Sequence, residues 1–183
     1  MSASRLLGRD EAVLVVIDIQ DKLLPAIADG DALLANLVKL VRFAGIVGLP
    51  VIATEQLKLG ETVPDLRAVL PDTSPIGKLT FNCFGCPEFV EAVRGLGRPT
   101  LVLTGIEAHI CVAQTALEAL DDYRVQVVSD AVGSRSLQDR EVALRRIEQA
   151  GAVITSTEML MYELLREAGT DEFRAALRLV KGS

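Results

Sequence analysis

The chain has no tryptophan, only two tyrosines and five phenylalanines, a single histidine and three cysteines among its 183 residues. With so few aromatics there is little for nucleobases to stack on, and 19 Lys and Arg against 25 Asp and Glu leave no surplus of cations to neutralise phosphates. Nucleic acid is therefore not an expected partner. One histidine does not make a multi-histidine metal site, so base chemistry falls to carboxylates. An odd number of cysteines in a chain too large to need disulfide staples, and the absence of a long apolar stretch after Met1, point to a reducing cytoplasm. No apolar run approaches the roughly 20 residues that a bilayer requires, so no membrane span is expected. What the chain does have is apolar residues: half of it is hydrophobic and its mean hydropathy is +0.34, which fits one compact domain over residues 1–183.

Val13-Leu14-Val15-Val16-Ile17-Asp18 is a β-branched run of the kind buried on both faces of a parallel sheet. Leu33, Leu34, Leu37, Leu40, Val41, Ala44 and Val47 then recur at helical spacing between Asp29 and Gly48, and Val51 to Thr54 supplies a second strand. The same alternation returns later. Strands are predicted at Thr100 to Thr104, Val125 to Ser129 and Ala152 to Thr155, with helices at Cys111 to Leu120, around Val142 to Ala150, and around Met159 to Leu165. Residues 56–99 are broken by prolines and glycines and read as loops around one short strand near Lys78 to Phe81, with a short helix at Pro87 to Arg94. No repeat or linker divides the chain. A three-layer α/β domain with a mostly parallel sheet follows.

In such sheets ligands bind outside the carboxyl ends of the strands, so polar residues there carry the candidate chemistry. Asp18 closes the first strand and Glu55 the second; either is also an ordinary cap or turn residue. Cys111 follows the strand Thr100 to Thr104 and stands at the expected start of a helix, where the macrodipole and unpaired N–H groups favour thiolate and could hold an oxyanion. That placement predicts a lowered pKa and faster alkylation of Cys111 than of Cys83 or Cys86 below pH 7. Cys83 and Cys86 form a C-x-x-C without the context of a redox or zinc motif, and read as an incidental loop pair, a reversible disulfide being the alternative. His109 precedes Cys111 by two residues, a spacing that on a tight turn points its ring away from the thiol. Lys78 reads as a surface charge unless it is buried beside a carboxylate, where it would be an electrostatic stabiliser.

These residues resemble a known family, the isochorismatase-like cysteine hydrolases. The match rests on Val15-Val16-Ile17-Asp18-Ile19-Gln20, Gly77-Lys78, Thr104-Gly105-Ile106-Glu107-Ala108-His109-Ile110-Cys111-Val112 and Val128-Ser129-Asp130-Ala131-Val132-Gly133-Ser134-Arg135, in the family's order, across about residues 11 to 165. Within the family, Thr54-Glu55-Gln56, Leu59-Gly60 and Thr62-Val63-Pro64 look most like the isochorismatase domain-containing protein 2 group. The resemblance implies a six-stranded parallel sheet of order 3-2-1-4-5-6, with Asp18, Lys78 and Cys111 as catalytic aspartate, lysine and nucleophile. It also implies a non-proline cis bond at Ile106-Glu107, beside an oxyanion hole of Glu107 and Cys111 N–H groups.

Gln20, Glu55 and Ile110 are expected to line the pocket because they adjoin those catalytic positions, and no cofactor is expected. The Asp-x-His pair with which nicotinamidases of this fold bind a metal is replaced here by Ala53-Thr54-Glu55-Gln56, so no metal is expected. A homo-oligomer acting on a small molecule is expected, with Phe173, Leu177, Leu179 and Val180 packing on the domain or on another subunit. The leading activity is C–N hydrolysis of a small amide through a thioester. The alternatives are vinyl-ether hydrolysis with Asp18 as acid and Cys111 a bystander, or an idle binding or scaffolding subunit.

Overall fold

A computed structural model describes residues 6–71 and 74–181; Met1 to Arg5, on which the reading of the amino terminus rested, lie outside the described residues. Six strands, β1 (Ala12–Ile17), β2 (Val51–Gln56), β3 (Ile76–Lys78), β4 (Thr100–Ile106), β5 (Arg124–Gly133) and β6 (Val153–Thr155), form one parallel sheet of order β3-β2-β1-β4-β5-β6. The order is the one the resemblance implied, and it reverses between β1 and β4. Every residue of β1 is buried, because alternate side chains serve opposite cores. Leu14 and Val16 join one hydrophobic cluster, and Val13, Val15 and Ile17 the other.

Helices cover both faces. On one lie α1 (Gly30–Val47), the short α2 (Pro64–Arg67), α6 (Thr157–Leu165) and α7 (Asp171–Lys181), contributing Leu37, Leu66, Leu160 and Ala176 to the first cluster. On the other lie α3 (Pro87–Leu96), α4 (Ala113–Ala119) and α5 (Leu137–Gln149), contributing Phe89, Ala116 and Ile147 to the second. At about 1.5–3 kcal/mol for each large apolar side chain buried, these two stripes-on-sheet interfaces are the main stabilising term. The apolar residues of the last segment pack on the domain: Phe173, Leu179 and Val180 lie half-buried against the first cluster.

Three expected boundaries shift. The strand placed near Lys78 to Phe81 lies earlier, at Ile76–Lys78, because β2 pairs residues 54–56 with 76–78 and Lys78 is its last member. The helix expected to start at Cys111 is preceded by a π-helical turn, Ala108–Val112, so Cys111 sits inside a turn rather than at a free helix end. The strand expected to stop at Ser129 continues to Gly133, pairing Val132 and Gly133 with Gly105 and Ile106 after an irregularity in which β5 runs from Val127 to Val132 while β4 runs from Leu103 to Gly105. Gly105 stands at that shift. Its φ is +115°, and a Cβ there would lie 2.1 Å from the carbonyl oxygen of Ile17, so only glycine lets β4 approach β1 directly beneath Asp18.

Candidate active site

The reversal of strand order opens a crevice above β1 and β4, and three separate segments deliver side chains into it. Asp18 leaves β1 with φ 55°, a left-handed conformation that aspartate tolerates better than most residues, and its N–H donates to the Thr54 carbonyl. Lys78 arrives at the end of β3 with its side chain wholly inaccessible to solvent. Its Nζ donates to Asp18 Oδ2 at 2.7 Å, to Gln56 Oε1 at 2.9 Å and to the Thr80 carbonyl at 3.2 Å, which uses all three ammonium hydrogens. Thr54 Oγ1 donates to the other carboxylate oxygen, Asp18 Oδ1, at 2.7 Å. Cys111 comes from the π-helical turn after β4 and shares one cavity with Asp18. The bond joining Ile106 to Glu107 is cis.

The electrostatics of this cluster reverse one expectation. Burial and then the Asp18 carboxylate push the Cys111 thiol up to about 12, with Lys78 opposing and the hydrogen bond to Asp18 adding to the rise. The lowered value expected from a helix start is overturned because an anion from β1 stands against the sulfur and the turn does not present a free helix end. Cys83, fully buried below the site with its N–H on the Thr115 hydroxyl at 3.0 Å, is likewise raised, to about 11, chiefly by burial. For Lys78, burial lowers the pKa, but the charge of Asp18 and its hydrogen bond outweigh it and the net direction is upward. Asp18 thus stands between the Lys78 side chain and the Cys111 thiol. Iodoacetamide labelling of Cys111 is accordingly expected to be slow at neutral pH and to keep rising towards pH 12 rather than levelling near 9, the value for an unperturbed thiol. Peptide mass spectrometry across that range checks this, and a plateau below pH 8 would contradict it.

A cavity of about 90 Å³ opens onto the thiol, lined by Asp18, Leu23, Gln56, Leu59, Phe81, Glu107, Ile110 and Cys111. Ile110 stands where expected. Gln20 and Glu55 do not line it: the Gln20 amide ties the Gln56 backbone N–H and carbonyl to the Gly60 carbonyl, and Glu55 accepts from the Thr62 N–H and hydroxyl. The reason is strand alternation, which puts Thr54 and Gln56 on the site face of β2 and Glu55 on the other. His109 is turned away as its spacing implied, with Nδ1 2.9 Å from Ser134 Oγ. Glu107 Oε2 accepts from the Arg135 N–H at 3.0 Å and from its Nε at 3.1 Å, which pins the turn carrying the nucleophile to the end of β5. Ile106 turns its side chain into the core. Cys83, Cys86 and Cys111 are all free thiols. Among the described residues no three His, Cys, Asp or Glu side chains converge as metal ligands.

Sequence reading missed Thr54 and Gln56, the direct partners of Asp18 and Lys78. Their signal was the period-two alternation at the end of β2, where any residue on the face of Asp18 should have been weighed.

A family model described as Isochorismatase domain matches residues 12–159, which include Asp18, Lys78 and Cys111. Secreted isochorismatase effector Isc1 of Phytophthora sojae is 37% identical, over 98% of this chain and 90% of that protein. Isochorismatase domain-containing protein 2A of Mus musculus is 33% identical, over 99% and 90%. The Mar1 ribonuclease structure from Caenorhabditis elegans superposes with a TM-score of 0.89 at 33% identity, covering 96% of this chain and 92% of that one. The Escherichia coli YcaC gene product, described as an octameric hydrolase of unknown specificity, gives 0.89 at 30% identity, covering 97% and 89%. YcaC from Pseudomonas aeruginosa, solved with covalent acrylamide, gives 0.88 at 27% identity, covering 100% and 98%. Sheet order, the matched span and identity along nearly the whole chain agree: this chain belongs to the isochorismatase family.

Proposed function

We propose that the chain is a cysteine hydrolase that cleaves the C–N bond of a small amide through a thioester, without a metal ion. The observation that carries this reading is the single carboxylate of Asp18, held by Lys78 and Thr54 on one side and standing against a protonated Cys111 on the other. Asp18 takes the thiol proton as Sγ attacks the amide carbon, and Lys78 holds the carboxyl group in place while its charge is neutralised. The tetrahedral oxyanion is received by the backbone N–H groups of Glu107 and Cys111. Collapse breaks the C–N bond as protonated Asp18 returns its proton to the leaving amine. Asp18 then deprotonates a water that attacks the thioester, giving the acid and restoring the thiol. Support from outside the chain comes from the Pseudomonas YcaC, which carries covalent acrylamide, an electrophile that is itself a small amide.

The test is intact mass spectrometry of wild type and Cys111→Ala during turnover of small amides with a chelator present. Release of amine with a transient acyl mass on wild type only is expected. Turnover by both proteins, or loss of activity restored by zinc, would sink the proposal.

The Mar1 ribonuclease likeness favours a second reading, phosphodiester hydrolysis. The cavity offers carboxylates and no cation to a phosphate, and the chain is net negative, so amide chemistry is preferred. For assembly we propose a homo-oligomer, in line with the octameric YcaC; Leu57, Leu79 and Phe81, large apolar side chains left exposed near the cavity, supply a face for it. Among the described residues no helix is long and apolar enough to cross a membrane. The three free thiols favour cytoplasmic action for this chain, whereas its Phytophthora relative is named as secreted.

A further inference from the structure

The cavity above Cys111 has a largely apolar wall, supplied by Leu23, Leu59, Phe81 and Ile110. Its two acidic lining residues, Asp18 and Glu107, have their carboxylates paired within the protein, that of Asp18 as inaccessible to solvent as its partner. The two cations that serve these carboxylates are not lining residues: Lys78 is wholly buried with its three hydrogens spent, and Arg135 engages Glu107 through its backbone N–H and Nε. No lysine or arginine among the described residues lines the space a substrate would fill. A carboxylate on the substrate would therefore be desolvated against apolar walls without a cation to receive it. The space itself is small. Its volume, about 90 Å³, is well below the roughly 300 Å³ or more of pockets that hold drug-sized ligands.

We infer that the substrate is an uncharged primary amide with a short, compact apolar acyl group, and that amides bearing a carboxylate are rejected. The inference rests on the thiol-hydrolase reading above and narrows it. Shape alone would not make the distinction, because a terminal carboxylate and a terminal methyl differ modestly in size; an apolar wall without a cation does.

Butyramide and succinamic acid form the matched pair, since the second carries a carboxylate where the first has its terminal methyl. Ammonia release by the wild-type protein at pH 7.5 is expected to give a kcat/KM for butyramide about 10²-fold or more above that for succinamate. Leu59→Arg, which puts a cation on the apolar wall, is expected to narrow that ratio at least tenfold, by the same charge argument with its sign reversed. Equal turnover of the two amides by the wild type would overturn the inference while leaving the hydrolase reading intact. Turnover of neither, with no acyl mass on Cys111, would overturn the hydrolase reading and the inference with it.

Discussion

Lys78→Met is expected to lower stability by about 3–5 kcal/mol, read as a fall in the urea midpoint, and to remove activity. The ammonium is inaccessible to solvent and lies 2.7 Å from the Asp18 carboxylate, so its loss strands a buried anion that keeps only the Thr54 hydroxyl and the thiol as partners. Breaking such a pair costs far more than the pair contributes, because desolvation has already been met on folding. Asp18→Leu combined with Lys78→Met should therefore recover most of the stability, since it removes the charge and its partner together, and should recover no activity. A double variant as unstable as Lys78→Met would contradict this account. Alkaline pH probes the same cluster. The Lys78 and Cys111 values are both raised in the folded state, so the stability they contribute is complete below the unfolded values and declines as pH rises through the folded ones. For Cys111 that window runs from about 9 to about 12, and Cys111→Ala should flatten its part of the decline.

Cys111→Ala is expected to reduce amide turnover by about 10⁴-fold or more, in line with the loss of a covalent nucleophile from a preorganised site. Binding should change little by comparison, because the apolar walls and the Glu107 turn remain. The same variant separates the competing chemistry. Vinyl-ether hydrolysis with Asp18 as acid needs no thiol, so isochorismate turnover surviving in Cys111→Ala, with no amide turned over by the wild type, would move the assignment to that reaction. Cys111→Ser keeps a hydroxyl beside Asp18 but a poorer nucleophile, and should fall near the alanine variant.

Much of the fold was legible because its signals are local. The β-branched run of β1 and the stripe of Leu33, Leu37, Leu40, Val41, Ala44 and Val47 on α1 are periodicities that burial enforces and any reader of the chain can count. Asp18, Lys78 and Cys111, proposed to act together, were legible through family resemblance and, for Asp18 and Cys111, through position at strand ends. Boundaries around the site were not. The extension of β5 to Gly133 and the early end of β3 at Lys78 depend on pairings between strands, which carry no local signature, and the π-helical turn at Ala108–Val112 was not marked by any residue pattern. Gln20 and Glu55 were misplaced because adjacency in sequence says nothing of direction: Glu55 faces the opposite way from its β2 neighbours, and the Gln20 amide is spent on the Gln56 and Gly60 backbone.

By itself, then, the sequence determined an acidic, apolar-rich α/β chain with one candidate nucleophile, one candidate base and a single histidine too isolated for either role. The tertiary structure decided the surroundings of Cys111 and the company kept by Asp18. Lys78 and Asp18 are 60 residues apart, and their contact exists only because β3, β2 and β1 lie side by side. A local reading of Cys111 sees a helix start and assigns a thiolate. The folded chain brings an anion and a dry environment to the same sulfur, and over a few ångströms in a poorly solvated site those outweigh the fraction of a charge that a helix end supplies.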